Sequence, residues 1–192
     1  MSVKFAMTSF RGLLLACATM LTLTACSKAP DGRMGSMSFA PEHARPAGLD
    51  NERKQYAIRT ALEMDARGQR VWCVPFARNA SGVEIRGNAR TWWRSAQGVY
   101  PQRNTPAEGA VMVFQGTRKM PMGHVAVVSK VVSERIIQID HANWKRNKVS
   151  LGMEVMDVSE NNDWSAVRVK SNAQSYGSTY PIYGFILPLA QG

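Results

Sequence analysis

The stretch HVAVVSKVVSERIIQIDH, residues 124–141, carries the strongest structural pattern in the chain. Two runs rich in β-branched residues, His124 to Val132 and Arg135 to His141, are separated by Ser133-Glu134. This composition predicts a β-hairpin with its turn at those two residues. Since the strands of a hairpin run in opposite directions, the histidines at their outer ends are expected at the same end of a sheet.

Helices are predicted before this hairpin and further strands after it. Helices followed by antiparallel strands predict an α+β fold in which the sheet packs against the early helices. The predicted elements are a helix from Asp50 or Asn51 to Gly68, a helix from Cys73 to Ser81-Gly82, a short helix from Ala89 to Gln97, a strand at Ala110–Phe114, the hairpin, and weaker strands at Leu151–Val158, Val167–Lys170 and Tyr183–Leu187.

Two local signals define the helices more closely. On the first helix, Ile58, Ala61, Leu62 and Asp65 fall on one face. Proline is tolerated in the first turn of a helix and not in its interior. Pro75 therefore places Cys73 at or just before the N-terminus of the second helix.

Composition excludes several classes of protein. The chain has 192 residues, of which 45% are hydrophobic and 20% charged, enough for a packed core and too apolar for wholesale disorder. Three cysteines cannot build a disulfide framework. No glycine-rich Walker or dinucleotide loop occurs, which argues against a nucleotide enzyme. The only stretch apolar enough for a bilayer lies at the extreme N-terminus, so a polytopic membrane protein is excluded.

Residues 1–25 are expected to be an export signal. Basic Lys4 and Arg11 precede the apolar run GLLLACATMLTLT, residues 12–24. This run has the length of a secretory h-region and is too short for a spanning helix, which needs roughly 20 residues.

The end of this segment, Leu23-Thr24-Ala25-Cys26, resembles the lipobox of bacterial lipoproteins. The resemblance implies cleavage before Cys26, acylation of its thiol and anchoring to a membrane. Ser27 at the next position implies sorting to the outer membrane. The expected location is the periplasmic face of that membrane, or the periplasm if Cys26 belongs to an ordinary secretory peptide and is not lipidated.

Residues 26–50 are expected to be a flexible tether, because nine of the residues from Ser27 to Asp50 are Pro, Gly or Ser. The globular domain is then expected over residues 51–190. Removal of the signal leaves 22 Lys and Arg against 14 Asp and Glu, a net charge of +8. These charges are scattered and form no nucleic-acid motif, so an acidic polymer outside the cytoplasm is the expected partner, rather than nucleic acid.

Cys73 is the one free thiol expected in the mature chain, and its position suggests chemistry. A thiol becomes a useful nucleophile when its thiolate is stabilised and a base stands beside it. The N–H groups and positive dipole end of a helix N-terminus favour a negative sulfur, and they can bind the oxyanion of a tetrahedral intermediate. A thiolate paired with an imidazolium would be alkylated rapidly near neutral pH.

The base would come from the hairpin. The predicted turn pairs His124 with Asn143 and Ala126 with His141. Directly opposite side chains lie ~5 Å apart at Cβ and diagonal ones ~7–8 Å apart. Side chains alternate along a strand, so His141 and Asn143 are expected on one face. A slip of one residue in the pairing would move both away from His124.

Three separated motifs resemble the cysteine, histidine-dependent amidohydrolase/peptidase (CHAP) family. They are Cys73 opening a helix, Gly123-His124-Val125-Ala126-Val127-Val128, and Asp140-His141-Ala142-Asn143-Trp144. The resemblance implies a papain-like fold that cleaves amide bonds of bacterial peptidoglycan through a thioester acyl-enzyme. It implies no cofactor, and a monomer is expected.

The resemblance also implies roles for the site residues. Cys73 is the nucleophile, and His124 is the general base that later protonates the leaving amine. Many members have a glutamate two residues before the asparagine, where this chain has His141. Either His141 or Asn143 then orients His124. A second departure is Ala110 after Gly109, where the family often has Gly-Asp.

Several alternatives stay open from the sequence. Cys73 can be an inert core thiol, or it can bind zinc together with His124 and His141. The protein can be a cell-wall-binding lipoprotein that keeps the fold without catalysis, or a transferase with an amine as acceptor. Trp72, Trp92 and Trp93 either stack on the sugars of a glycan or pack near the core.

Overall fold

The computed structural model of the chain describes residues 48–190. The export signal, the lipobox with Cys26, and residues 26–47 of the predicted tether lie outside the described residues. Among residues 48–190, no helix combines the length and the apolar character needed to cross a membrane.

Helices precede strands along the chain, and all strand pairings are antiparallel, which confirms the predicted α+β class. The helices are α1 (Asn51–Ala66), α2 (Cys73–Ser81) and α3 (Trp92–Ala96), with a 3₁₀ turn at Ala89–Thr91 before α3. The strands are β1 (Gln102–Arg103), β2 (Val111–Phe114), β3 (His124–Ser133), β4 (Ile136–Ala142), β5 (Val149–Asp157), β6 (Ala166–Lys170) and β7 (Tyr176–Ile186).

The sheet closes into a barrel. Its order is β1-β7-β2-β3-β4-β5-β6, and β6 also pairs with β7. The long strand β7 closes the ring because residues 176–181 pair with β6 and residues 182–186 pair with β2. Sequence analysis found only the second half of β7, since Gly177, polar residues and Pro181 interrupt the apolar pattern of the first half.

Two hydrophobic cores lie on opposite faces of β2 and β3. Val111, Val113, Val125 and Val127 pack against α1, α2 and α3 in the first core. The residues that alternate with them, including Met112 and Ala126, fill the barrel interior with large apolar residues from β4 to β7. Both faces of β2 and of residues 124–128 of β3 are buried, so the sequence from Val125 to Val128, like that of β2, is a continuous apolar run rather than an alternating pattern.

Helix α1 begins and ends near the predicted residues. The Asp50 side chain caps it by accepting hydrogen bonds from the N–H groups of Glu52 and Arg53. Its buried face is centred on Ala57 and Ala61, whereas Leu62 is 58% exposed. The prediction that Leu62 shares the buried face with Ala61 is therefore wrong. Helix α1 contacts the first core mainly through small alanine side chains, and Leu62 lies outside that contact.

The hairpin forms with the predicted pairing near its open end. Val127 lies opposite Asp140 and Val128 opposite Ile139, as a turn at Ser133-Glu134 would require. The turn itself is at residues 134–135, one residue later than predicted. Two irregularities in the β3–β4 pairing absorb the difference, so the predicted register holds at Val127 and Val128 despite the error at the turn.

Candidate active site

Cys73 is the first residue of α2, as the position of Pro75 predicts. The preceding residue, Trp72, is extended and its side chain does not cap the helix. The N–H groups at this end of α2 are therefore available to the sulfur or to a bound oxygen.

The environment of the sulfur favours the neutral thiol. Burial raises the pKa of the Cys73 thiol, and the backbone N–H groups of Val125, Val74 and Cys73 itself only partly offset this. The sequence suggested that Cys73 rests as a thiolate. The structure favours the thiol instead, because burial raises its pKa by more than the N–H groups at the helix N-terminus lower it. The involvement of Val125 also places the sulfur beside the residue that follows His124.

His124 and His141 form a hydrogen-bonded pair inside the barrel end. Nε2 of His124 lies 3.0 Å from Nδ1 of His141, and the ring centroids are 5.1 Å apart. Hydrogen bonding to His141 occupies Nε2 of His124, so Nδ1 is the ring nitrogen left for a thiol proton.

Both imidazoles are neutral at pH 7. Burial lowers the pKa of His124 well below its usual value, and repulsion between the two rings when both are protonated lowers it further. Burial lowers the pKa of His141 to about 4, against an opposing effect of neighbouring Asp140. One of the two contacting nitrogens then carries a hydrogen and donates the hydrogen bond, and the other nitrogen accepts it.

Aromatic rings surround the imidazole of His124, which is only 4% exposed. Trp144 and Phe114 pack on it with centroid distances of 5.1 and 5.5 Å. Tyr180 in turn lies 5.1 Å from Trp144. These rings exclude water from the back of the imidazole and leave it access to one cleft.

That cleft has a volume of about 750 Å³ and contains both Cys73 and His124 in its wall. His141 stands behind His124 rather than in the wall. The other side chains of the wall are mainly apolar or aromatic, and Lys119 is the only charged residue among those that line it. The remaining lining residues are Trp72, Val74, Pro75, Gly87, Asn88, Ala89, Met120, Met122, Gly123, Asn143, Trp144 and Tyr180.

Asn143 lines the cleft but does not hold His124. It follows the last residue of β4 and adopts a left-handed conformation with φ of 63°, so the alternation of the strand ends before it. Its side-chain oxygen accepts a hydrogen bond from the N–H of Asn147 at 2.9 Å. The structure thus brings His141, and not Asn143, to the imidazole of His124.

Asn147 is a positioning residue that sequence analysis missed. Its Oδ1 accepts a hydrogen bond from the N–H of Val71 at 2.7 Å, and its Nδ2 donates to Asp65 at the end of α1. It therefore ties the loop after β4 to the segment that leads into Cys73. Asn tolerates the left-handed φ of 60° found here, but no local pattern marks such a long-range bridge.

Asp140 and Lys54 form a second link that the sequence did not reveal. The carboxylate of Asp140, buried beside His141, lies 2.7 Å from Nζ of Lys54 on α1. Its other oxygen accepts a hydrogen bond from the N–H of Gly152 at 2.7 Å. This pair connects helix α1 to the barrel directly behind the two histidines.

The three tryptophans have different environments. Trp92 is fully buried in the first core, while Trp72 is half-exposed in the cleft wall under the guanidinium of Arg70, 4.5 Å away. Trp93 lies outside the cleft, beside Tyr183.

Among residues 48–190, no three His, Cys, Asp or Glu side chains are placed to hold a metal together.

Residues 64–143, from the last turn of α1 to the end of the site, match the family model of the CHAP domain. Domains of this family are generally amidase- or peptidase-like and act on peptidoglycan. A comparison with curated proteins finds none that matches the chain.

Proposed function

Because residues 64–143 match the CHAP domain, we propose that the protein is a cysteine amidase or endopeptidase that cleaves amide bonds of peptidoglycan. The observation that carries the proposal is the shared cleft. The Cys73 sulfur at the N-terminus of α2 and the imidazole of His124 at the start of β3 line one cavity, with His141 behind the imidazole. A helix with its nucleophilic cysteine packed against a barrel with its histidine is a papain-like arrangement.

Acylation begins with a neutral pair, so proton transfer accompanies attack. The Cys73 sulfur bonds to the carbonyl carbon of the substrate while its proton passes to Nδ1 of His124. The carbonyl oxygen becomes an oxyanion, which the N–H groups at the start of α2 can bind. His124 then gives the proton to the amine as the C–N bond breaks, which leaves a thioester on Cys73.

Deacylation reverses the roles. His124 takes a proton from water, the resulting hydroxide adds to the thioester, and the returning proton restores the thiol as the C–S bond breaks. His141 acts through His124. When Nε2 of His124 donates to Nδ1 of His141, the base nitrogen Nδ1 of His124 is left unprotonated and correctly oriented.

The cleft suits a peptide attached to a glycan. Its aromatic and thioether side chains, including Trp72, Met120 and Trp144, can pack on aliphatic parts of a stem peptide. Lys119 can pair with a peptide carboxylate at the rim. We also propose that a lipid on Cys26 anchors the protein to the periplasmic face of the outer membrane as a monomer, where peptidoglycan is within reach of the tether.

The deciding experiment incubates purified sacculi with the wild-type chain and with Cys73→Ser. Mass spectrometry of the released fragments shows whether an amide bond is cut and where. We expect fragments from the wild-type chain and none from Cys73→Ser, whose circular dichroism and melting temperature should stay close to the wild-type values. Equal release by both chains would refute the proposal.

The deep burial of His124 favours a second candidate. A protein with a nearly inaccessible imidazole and a raised thiol pKa can bind the cell wall through the same cleft without reacting. Sedimentation of the wild-type chain with sacculi, without any released fragment, would select this non-catalytic function.

A further inference from the structure

A second groove lies next to the catalytic cleft, on the other side of the connection between β2 and β3. Its volume is about 670 Å³, and its wall carries three arginines and two aromatic rings but no acidic residue. We call it the arginine groove and define it by Arg90, Trp93, Arg94, Arg118 and Tyr183.

The three arginines of this groove have no acidic partner. Within the described range, no carboxylate lies within 4.0 Å of the guanidinium of Arg90, Arg94 or Arg118. All three residues are exposed. Cations gathered in a concave surface without counter-charges raise the local positive potential, which favours an anionic ligand. Guanidinium groups bind carboxylates in a two-pronged geometry.

The aromatic rings form a fixed platform in the same groove. The rings of Trp93 and Tyr183 are nearly parallel, with an interplanar angle of 11° and centroids 6.2 Å apart. The indole of Trp93 rests against Gly184, where an added Cβ would come within 2.9 Å of the ring. Tyr183 is 40% exposed. Apolar rings with one open face can stack on the C–H face of a sugar.

One tight turn joins the groove to the catalytic cleft. Thr117 and Met120 pair as a β-bridge, and Met120 N–H donates to the backbone and side-chain oxygens of Thr117. Between them, Arg118 lines the groove and Lys119 lines the cleft. Neighbouring cations of a single turn thus face both cavities, so that one anionic polymer can cross the turn and contact both.

We propose that the arginine groove binds a carboxylate-bearing muropeptide segment of the polymer whose amide bond is cut in the cleft. The arginines bind carboxylates of the stem peptide, and the Trp93–Tyr183 platform stacks on a sugar. The proposal rests on the proposed function for the identity of the polymer. Binding, however, is measured without cleavage.

The test uses the full chain with Cys73→Ser, so that sacculi are not digested. In this background, Arg90→Gln, Arg94→Gln and Arg118→Gln are combined in a groove variant. The matched control combines Arg59→Gln, Arg67→Gln and Lys130→Gln, which remove the same charge from exposed positions outside the groove. Affinity is measured by co-sedimentation with purified sacculi and by titration with a soluble muropeptide.

We expect the groove variant to bind about 10-fold more weakly or worse, since three charge-assisted contacts are lost, and the control variant to bind like its parent. Equal affinities of the two variants would overturn the proposal. Loss of binding to phosphatidylglycerol vesicles with unchanged binding to sacculi would also overturn it and assign the groove to lipid. If wild-type protein releases no fragments but the groove variant still loses affinity, only the proposed catalysis fails.

The aromatic platform is tested separately with Tyr183→Ala in the same background. We expect weaker binding of the muropeptide and unchanged binding of the sugar-free stem peptide. An equal loss for both ligands would overturn the stacking of a sugar on this platform.

Discussion

At the scale of single residues, burial governs the proposed chemistry more than formal charge does. The same desolvation that raises the pKa of the Cys73 thiol lowers those of His124 and His141. All three groups are therefore neutral at pH 7, and the histidine pair stays a base in mildly acidic conditions. In the proposed mechanism, catalysis therefore depends on proton transfer during attack and not on an ion pair present before it.

Alkylation of Cys73 should report this neutral resting state. Because its pKa is raised, the rate with iodoacetamide is expected to be low at pH 7 and to keep rising through pH 9. The rate is followed by mass spectrometry of the peptide that contains Cys73, with the Cys73→Ser chain as the blank. A rate that is already at a plateau below pH 7 would instead indicate a thiolate–imidazolium pair.

Replacement of His141 should slow catalysis more than replacement of Asn143. His141→Ala leaves Nε2 of His124 without its partner and is expected to lower kcat about 100-fold with little change in KM. His141→Gln, whose amide oxygen can accept the same hydrogen bond, should recover part of the loss. Asn143→Gly keeps the left-handed backbone and should cost much less. A larger loss for Asn143→Gly would assign the orienting role to Asn143.

At the scale of elements, the site depends on bridges between segments that are distant in the chain. The His124–His141 contact joins β3 to β4, and Asn147 joins the loop after β4 to α1 and to the entry of α2. These bridges position α2 relative to the barrel end.

Burial of the two histidines should make stability depend on pH. A histidine with a lowered folded pKa binds protons more weakly when folded, so its stabilisation is complete above the unfolded pKa and is lost as pH falls. For His141, with a folded pKa of about 4, the loss falls between pH about 6.5 and 4 and amounts to about 3 kcal/mol. Urea unfolding at pH 7, 5.5 and 4 measures it. His141→Gln should make the dependence shallower and leave the part due to the buried His124, and an unchanged slope in that variant would contradict this assignment.

Loss of the Asn147 bridge should loosen the entry of α2. Asn147→Gly keeps the left-handed backbone but leaves the buried N–H of Val71 without its acceptor, and about 2 kcal/mol of stability should be lost. Chemical denaturation measures the loss. Asn162→Gly, at another left-handed but exposed position, is the control and should change little. Equal effects of the two substitutions would mean that the bridge contributes nothing.

At the scale of the whole domain, three helices pack on a barrel closed by one long strand. The buried carboxylate of Asp140 and Nζ of Lys54 connect these two layers behind the site. The cleft and the arginine groove open on either side of the β2–β3 connection, so one edge of the domain faces the proposed polymer.

The Lys54–Asp140 pair should stabilise the packing of these layers. Lys54→Met leaves a buried carboxylate without its cation and is expected to lower the free energy of unfolding by about 2 kcal/mol. The loss is smaller than for a fully buried ion pair because the Lys54 side chain is 22% exposed. The double substitution Lys54→Met with Asp140→Leu removes both charges and should recover much of the loss. Thermal unfolding of the wild-type chain, of Lys54→Met, of Asp140→Leu and of the double variant tests this. A double variant as unstable as the sum of the single losses would rule out coupling.

Sequence alone determined the class of the fold, the start of α2 at Cys73 and the pairing of the hairpin near its histidines. These features follow from the restricted backbone of proline and from the pattern of apolar residues within single segments. Both act between residues that are close in the sequence, so they can be predicted without the tertiary structure. Only the tertiary structure decided that His141 holds His124, that the Cys73 thiol is neutral, that Leu62 faces outward and that β7 closes the barrel. Each of these depends on burial or on contacts between segments far apart in the chain, and no local pattern encodes them.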